Sequence, residues 1–215
     1  MLSLLGANWP TFLLGFWNTI LCSLISLFFS LIIGSGFAIL ETVPNKFWRG
    51  VAKVYVEIFR NIPLLVVTMV FYLVLPTYTP LKLTGFQAGT IGLSIYSSAF
   101  IAETVRSGIQ SVGVGQMEGA RSNGMTYMQA MTHVVLPQAL TKMIPALLSQ
   151  FVSLIKDTSL ATIIVLPELL YHAEIIYNQN TNYMIPMYLA VAVMYFIICF
   201  ALSSFANYLS KRTKY

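Results

Sequence analysis

The sequence predicts an all-α integral membrane protein with five transmembrane helices. Of its 215 residues, 57% are hydrophobic and only 9% are charged, and the mean hydropathy is +0.76. In an average soluble domain about a quarter of the residues are charged. Long uncharged runs alternate here with short charged segments, and about 20 apolar residues suffice for a helix to cross a bilayer. The composition therefore excludes a soluble globular domain.

The first three predicted spans cover residues 12–40, 61–81 and 85–105. The first run has no charged side chain, and it is long enough to cross the bilayer with some tilt. The small residues around Gly34 lie in mid-membrane and follow no strand, so they indicate close helix packing rather than a nucleotide-binding loop. The second run is also uncharged. The third follows a short turn that contains Pro80.

The fourth and fifth predicted spans cover residues 138–165 and 183–209. The fourth follows Pro137, which can begin a helix but cannot continue one. It carries Lys156 and Asp157, and ionisable side chains inside a membrane usually mark a functional site. The alternative is an internal salt bridge between these two side chains that only stabilises a broken helix.

The basic residues lie on one side of the predicted spans. Ten of the 12 lysines and arginines fall in three segments, residues 46–60, 106–142 and 211–214, and the exceptions are Lys82 and Lys156. Cytoplasmic loops are enriched in lysine and arginine. The three segments are therefore expected to be cytoplasmic connections, with the N-terminus outside and the C-terminus in the cytoplasm. Because these residues flank apolar runs and form no patch, nucleic acid is not an expected partner.

A polar segment, residues 109–137, separates the third and fourth spans. Its spacing predicts one amphipathic helix over residues 116–133, because two stripes follow helical periodicity. Gly124 is expected at a point where a facing backbone comes close. The polar stripe comprises Ser122, Thr126, Gln129 and His133, and the apolar stripe comprises Met125, Met128, Met131 and Val135.

This segment resembles the Glu-Ala-Ala loop of permease subunits in bacterial binding-protein-dependent ABC importers. The resemblance rests on Glu118-Gly119-Ala120, on Gly124 after three intervening residues, and on Val134-Val135-Leu136-Pro137 after nine more. It implies the type I ABC importer permease fold and a coupling helix seated on an ATPase subunit. The usual middle alanine is Gly119 here, and the usual isoleucine is Val134. The residues implied in ATPase coupling are Glu118, Gly119, Ala120, Arg121, Gly124, His133, Leu136 and Pro137.

Two further blocks resemble the polar amino acid branch of these permeases. They are residues 59–65, which contain Arg60, and residues 101–110, which contain Glu103 and Arg106. Arg60 is open to two interpretations, a functional contact or a basic residue that reaches the membrane surface at a helix end. Glu103 and Arg106 are three residues apart and are expected to pair on one helix face. The resemblance implies import of a polar amino acid across the bacterial cytoplasmic membrane by alternating access.

Polar side chains at membrane depth mark a predicted substrate path. In lipid such groups are favourable only against a neighbour or a water-filled path. A site for arginine or lysine needs an uncompensated carboxylate, whereas Asp157 has Lys156 beside it and Gln150 is neutral. The expected substrate is therefore glutamine, glutamate or another non-basic amino acid. The candidate path residues are Tyr96, Ser98, Gln150, Ser153, Lys156 and Asp157.

The chain carries no recognisable catalytic or metal-binding motif. It has no Gly-x-x-x-x-Gly-Lys-Ser/Thr phosphate loop, so no cofactor is expected in this chain, and ATP and Mg²⁺ are expected on a partner ATPase. His133 and His172 are predicted on opposite sides of the membrane and cannot share a metal ion. Cys22 and Cys199 lie in separate apolar runs and are expected to be small core residues.

The resemblance also implies the partners. They are two ATPase subunits, a second permease subunit that is either identical or a paralogue, an extracytoplasmic solute-binding protein and the surrounding lipid. Three other classes stay open. No internal repeat supports a secondary transporter or channel, an intramembrane hydrolase would need more than Asp157 at membrane depth, and a membrane assembly factor predicts no substrate-stimulated ATPase.

Overall fold

The computed structural model describes residues 2–43 and 45–212, and this part of the chain consists of helices joined by short loops, without a β-strand. The all-α prediction is thus confirmed, although Lys214 of the predicted basic tail lies outside the described residues. Short π-helical and 3-10 turns join some of the helices. The α-helices are α1 (Leu2–Thr42), α2 (Lys46–Asn61), α3 (Leu64–Met69), α4 (Leu75–Tyr78), α5 (Gly85–Gln110), α6 (Val114–Ser122), α7 (Tyr127–Ala130), α8 (Leu136–Asp157), α9 (Leu169–Gln179) and α10 (Met184–Arg212).

The core is built around α1 and α5, which form the most extensive helix pair. A Cβ atom on Gly34 of α1 would lie 2.6 Å from the Ser98 carbonyl oxygen of α5, so the packing role predicted for Gly34 is confirmed. Ser26 Oγ donates to the Thr90 carbonyl at 3.2 Å, and Cys22 Sγ lies 3.4 Å from Thr90 Oγ1. In lipid, close packing of small residues and hydrogen bonds between helices hold helices together.

The second predicted span is a bent pair of helices. Asn45 caps α2 by accepting a hydrogen bond from the Phe47 N–H, and a bend of 103° separates α2 from the helical run Leu64–Tyr78. Pro63 lies at the bend, where a proline disfavours helical backbone in the preceding residue. The helical run Leu64–Tyr78 is about 22 Å long at ~1.5 Å per residue. The predicted cytoplasmic connection, residues 46–60, thus forms the amphipathic helix α2. The second predicted span, residues 61–81, is shortened to the run Leu64–Tyr78.

Three helical runs in the described residues are long and apolar enough to cross a membrane: Asn8–Thr42, Tyr127–Ile164 and Thr181–Lys211. The bent pair makes a fourth if it is counted as one span. The third predicted span, α5, is not among them. Half of its 26 residues are buried, and 11 of these 13 are glycine, alanine, serine or threonine in place of large apolar side chains, because the helix packs against protein on several sides.

The fourth predicted span begins earlier than expected. α7 continues through a π-helical turn, Met131–Val135, into α8. Pro137 lies immediately after this turn, inside the helical run Tyr127–Ile164. Pro137 thus lies in the first turn of α8, as predicted, but the helical run does not break there, because the wider π turn accommodates a residue that lacks an N–H.

The fourth span loses its α-helical form at Asp157, before its predicted end at residue 165. A 3-10 turn, Thr158–Ile164, leads to Val165, which has φ 61°. Glu168 then caps α9 and is fully buried. Its carboxylate accepts four hydrogen bonds of 2.6–2.8 Å, from the N–H groups of Leu170 and Tyr171 and the hydroxyls of Thr162 and Tyr195. The sequence alone does not distinguish this glutamate from a surface residue.

Candidate functional site

The polar segment between α5 and α8 folds as two short helices. α6 ends at Ser122, and α7 begins at Tyr127. Thr126 caps α7 in a capping box: its hydroxyl accepts from the Gln129 N–H at 3.3 Å, and Gln129 Oε1 accepts from the Thr126 N–H at 2.9 Å. This pair satisfies two backbone donors that a helix start leaves free. The second helix therefore has its own start signal.

Gly124 lies in the turn that separates these helices, with φ +85°. The Met125 N–H donates to the Ala120 carbonyl at 3.3 Å and the Gly124 N–H to the Arg121 carbonyl at 3.0 Å, which is the Schellman pattern that ends a helix. The prediction of a single helix over residues 116–133 is thus wrong. A Cβ atom on Gly124 would meet nothing within 4 Å. The glycine is needed for its left-handed conformation, and no backbone of the described residues makes the predicted close approach.

The turn and the residues around it project from the protein. Every residue from 121 to 129 is exposed. The predicted apolar stripe divides in two: Met131 and Val135 pack inward, whereas Met125 and Met128 are 37% and 67% exposed. Apolar side chains at an exposed tip are typical of a protein contact surface.

Two hydrogen bonds attach the N-terminal part of this segment to the start of α8. Gln138 Nε2 donates to Gln116 Oε1 at 3.2 Å, and Lys142 Nζ donates to the Ser111 carbonyl at 2.8 Å. A buried cluster completes the junction, and it comprises Val112, Val135, Ala139 and Met143, with Met117 and Met131 packed against them. Because these contacts involve the first two turns of α8, a displacement of α6 must move α8 as well.

The candidate coupling residues differ in exposure and position. Ala120 is buried and Leu136 is half-buried, and Leu136 lines an apolar groove of about 690 Å³ beside the end of α1. Gly124 and His133 line one cavity of about 270 Å³, and His133 Nδ1 lies 3.0 Å from the Gln129 carbonyl oxygen. The exposed candidates are Glu118, Gly119, Arg121, Gly124, His133 and Pro137.

A second site lies between α5 and α8, in a pocket of about 250 Å³. The structure brings four of the six predicted path residues together there, and it adds Ser97 and Phe100, which the sequence pattern did not single out. The four are Tyr96, Gln150, Ser153 and Asp157. Hydroxyl, amide and carboxylate groups at one place provide hydrogen-bond donors and acceptors and one negative charge.

Ser98 and Lys156 do not line this pocket, so the structure does not bring them together with the other four predicted path residues. Ser98 is fully buried on another face of α5, where its Oγ lies 2.7 Å from the Tyr55 hydroxyl, because neighbouring helical residues point about 100° apart. Lys156 is exposed, and no ion pair among the described residues involves it. The alternative of an internal salt bridge with Asp157 is therefore excluded.

An ion-pair network lies next to the pocket. The Arg106 guanidinium donates two hydrogen bonds to the Glu103 carboxylate, one of them at 3.1 Å, and lies 3.4 Å from Glu41 of α1. Arg60 of α2 lies 3.6 Å from Glu103 and 6.0 Å from the ring centre of Phe100. The Glu103–Arg106 pair is confirmed. Arg60 of α2 contacts Glu103 of α5 and so connects the two helices. The sequence did not predict the ion pair between Glu41 and Arg106.

Comparison with known proteins identifies the family. Residues 26–215 match the family described as binding-protein-dependent transport system inner membrane component. The chain belongs to this family. Superposed on a crystal structure of an amino acid ABC transporter with histidines, this inner membrane component gives a TM-score of 0.92 at 32% identity, covering 98% of this chain and 97% of that one. The predicted type I importer permease fold is thereby confirmed.

Two relatives of this inner membrane component come from Bacillus subtilis (strain 168). One is the probable glutamine ABC transporter permease protein GlnM, 44% identical over 210 residues, or 98% of this chain and 96% of that protein. The other is the probable glutamine ABC transporter permease protein GlnP, 39% identical over 206 residues, or 95% and 92%. A permease of this family is a transport subunit and not an enzyme, and ATP hydrolysis belongs to a separate subunit.

Proposed function

We propose that this permease imports a polar amino acid, with glutamine as the leading candidate, and that partner ATPase subunits drive the cycle. The observation that carries the proposal is that α8 joins the exposed segment, residues 121–129, to the α5–α8 pocket. α8 is 22 residues long, or about 33 Å; it starts at the junction with α6 and ends at Asp157 in the pocket. A push on the exposed segment would therefore reach the pocket through one helix.

In the proposed arrangement the chain crosses the bacterial cytoplasmic membrane five times, with its N-terminus outside and its C-terminus in the cytoplasm. The asymmetric distribution of lysine and arginine supports this orientation. Two permease subunits, identical or paralogous, rock about a path between them, and each exposed segment seats on one ATPase subunit. A solute-binding protein delivers the amino acid from outside. ATP and Mg²⁺ are held by the ATPases, and this chain holds no cofactor.

The pocket chemistry supports an amino acid but changes the argument for which one. Asp157 has no ion pair among the described residues, so its carboxylate makes no direct contact with the ammonium group of Lys156. Its carboxylate suits the α-ammonium group that every free amino acid carries. The neutral amide of Gln150 can both donate and accept, which suits a side-chain amide. This chemistry and the two relatives named as glutamine permeases support glutamine.

Replacing Gln150 with glutamate tests the substrate assignment. The added carboxylate would be unpaired in a site for a neutral side chain, so we expect ATP-dependent glutamine uptake to fall about tenfold or more, equivalent to ~1.4 kcal/mol. Competition by arginine and lysine should increase. Uptake of labelled glutamine into proteoliposomes that contain the intact transporter, with each competitor in excess, measures both effects.

Ser149→Ala is the matched control for this variant. Ser149 is the neighbouring residue on α8, but it is exposed, lies outside the pocket and donates to the Pro145 carbonyl of its own helix. We expect uptake by Ser149→Ala to equal that of the wild type. Equal uptake and an unchanged competition pattern in Gln150→Glu would remove Gln150 from the substrate site.

A further inference from the structure

A second polar cavity, of about 500 Å³, lies between the end of α1, α2 and α5. We call it the α2 cavity. Its volume is within the ~300–1,000 Å³ range of small-molecule sites. Six charged side chains line it, three of each sign: Glu41, Glu57, Glu103, Arg49, Lys53 and Arg106.

Three of these six side chains pair with one another, and Arg60 adds the second positive charge of this group. Arg106 pairs with both Glu103 and Glu41, so this group forms a fixed wall of the cavity. Each carboxylate thus already has a guanidinium partner. The wall holds α1 and α5 together and leaves no unpaired cation for a ligand.

The other three side chains follow one another at four-residue intervals along α2. Arg49, Lys53 and Glu57 are exposed and line the cavity, and none of them forms an ion pair with another described residue. Glu57 Oε2 accepts one hydrogen bond, from Asn61 at 3.3 Å. Two cations and one carboxylate on a single helix face are thus available to a ligand that carries charges of both signs.

We propose that the α2 cavity binds the transported amino acid as a zwitterion on the exit side of the permease. Arg49 and Lys53 bind the α-carboxylate, and Glu57 binds the α-ammonium group. A site with charges of both signs suits a zwitterion, because each charged end of the ligand meets a group of opposite charge. This inference rests on the proposed function, because the ligand is the substrate and the cavity is taken to face the cytoplasm.

The position of the cavity relative to the α5–α8 pocket supports this assignment. The two sites use successive turns of α5, Tyr96 to Phe100 for the pocket and Glu103 to Gln110 for the cavity, with centres about 13 Å apart along the helix. Arg60 lies between them, in contact with Phe100 on one side and Glu103 on the other. The α2 cavity is therefore one of the cavities that an amino acid can reach when it leaves the pocket along α5 towards the exposed segment.

Inhibition from the inside tests the proposal. Proteoliposomes that contain the intact transporter are loaded with ATP and increasing L-glutamine on the cytoplasmic side, and the initial uptake of labelled glutamine is measured. Each variant is normalised to its own rate without internal glutamine. We expect the half-inhibiting internal concentration to rise about tenfold or more in the Arg49→Gln/Lys53→Gln double variant. Lys46→Gln is the matched control, because Lys46 is exposed on the same helix but does not line the cavity.

A change in the ligand identifies the group that the cations bind. L-Glutaminamide lacks the carboxylate, so it should inhibit the wild type more weakly than glutamine does, and the double variant should no longer distinguish the two. Equal half-inhibiting concentrations in the wild type and the double variant, or an uninhibited wild type, would overturn the exit site. If the proposed function fails instead, the wild type shows no ATP-dependent glutamine uptake at all.

Discussion

Replacing Gly124 with valine is expected to uncouple ATP hydrolysis from transport while the chain stays folded in the membrane. Gly124 has φ +85° in an open region, so valine meets no neighbour, but its backbone must adopt a left-handed conformation. This conformation costs about 1–2 kcal/mol for an ordinary L-residue and is especially rare for a β-branched one. The turn should open and the exposed Met125 and Met128 should move. We expect ATP-dependent uptake to fall about tenfold or more.

Gly119→Ala is the matched control for Gly124→Val. Gly119 is five residues earlier and is also exposed, and a Cβ atom added there also meets nothing within 4 Å, but it lies inside α6. Alanine favours a helix over glycine by ~1 kcal/mol, so this variant should retain uptake. Membrane yield and thermal unfolding in detergent should be alike for both variants. Wild-type transport by Gly124→Val would show that the turn does not carry the coupling.

Replacing Gly85 with alanine is expected to destabilise the fold more than any other single added methyl group. A Cβ atom on Gly85 would lie 2.4 Å from the Ile164 carbonyl oxygen and 2.5 Å from the Val165 carbonyl oxygen. These are backbone atoms and cannot rotate away as a side chain can. Val165 is also already in the left-handed region. Overpacking usually costs about 1–3 kcal/mol, and we expect the upper end of that range.

The unfolding temperature of the purified permease in detergent measures this effect. Gly36→Ala is the control, since a Cβ atom on Gly36 of α1 meets nothing within 4 Å, and this variant should unfold with the wild type. Gly85→Ala should unfold at a clearly lower temperature and give less monodisperse protein. Equal unfolding temperatures for the two variants would mean that α5 and the 3-10 turn after α8 do not approach as described.

The sequence predicted the features that depend on local periodicity and composition. Uncharged apolar runs located α1 and α10, and their ends agree with the predicted spans to within a few residues apart from the N-terminal extension of α1. The three-residue spacing of Glu103 and Arg106 predicted their contact, because a helix places residues three apart on the same face. Four of the six path residues share a pocket because they lie on the facing sides of α5 and α8.

The features that were missed depend on conformation or on distant partners. The single helix over residues 116–133 was predicted from stripes alone, although Asn123-Gly124 followed by Thr126 and Gln129 is a helix stop and a new helix start. Ser98 was predicted to line the substrate path because it carries a hydroxyl group, whereas its neighbour Ser97 lines the pocket. No local pattern could have shown that Glu168 contacts Tyr195, 27 residues away, or that Lys156 forms no ion pair with Asp157.

The side of the membrane reached by the exposed segment tests the central claim most directly. In a variant in which Cys22 and Cys199 are replaced by serine, a single cysteine at the exposed Met128 is treated with a membrane-impermeant maleimide, with the exposed Lys82→Cys as the opposite-side control. We expect Met128→Cys to react only in inside-out vesicles and to be protected when the ATPase subunits are bound, and Lys82→Cys to react only in right-side-out vesicles. Reaction of Met128→Cys in sealed right-side-out vesicles would place the segment outside, where no ATPase can reach it, and would contradict the account.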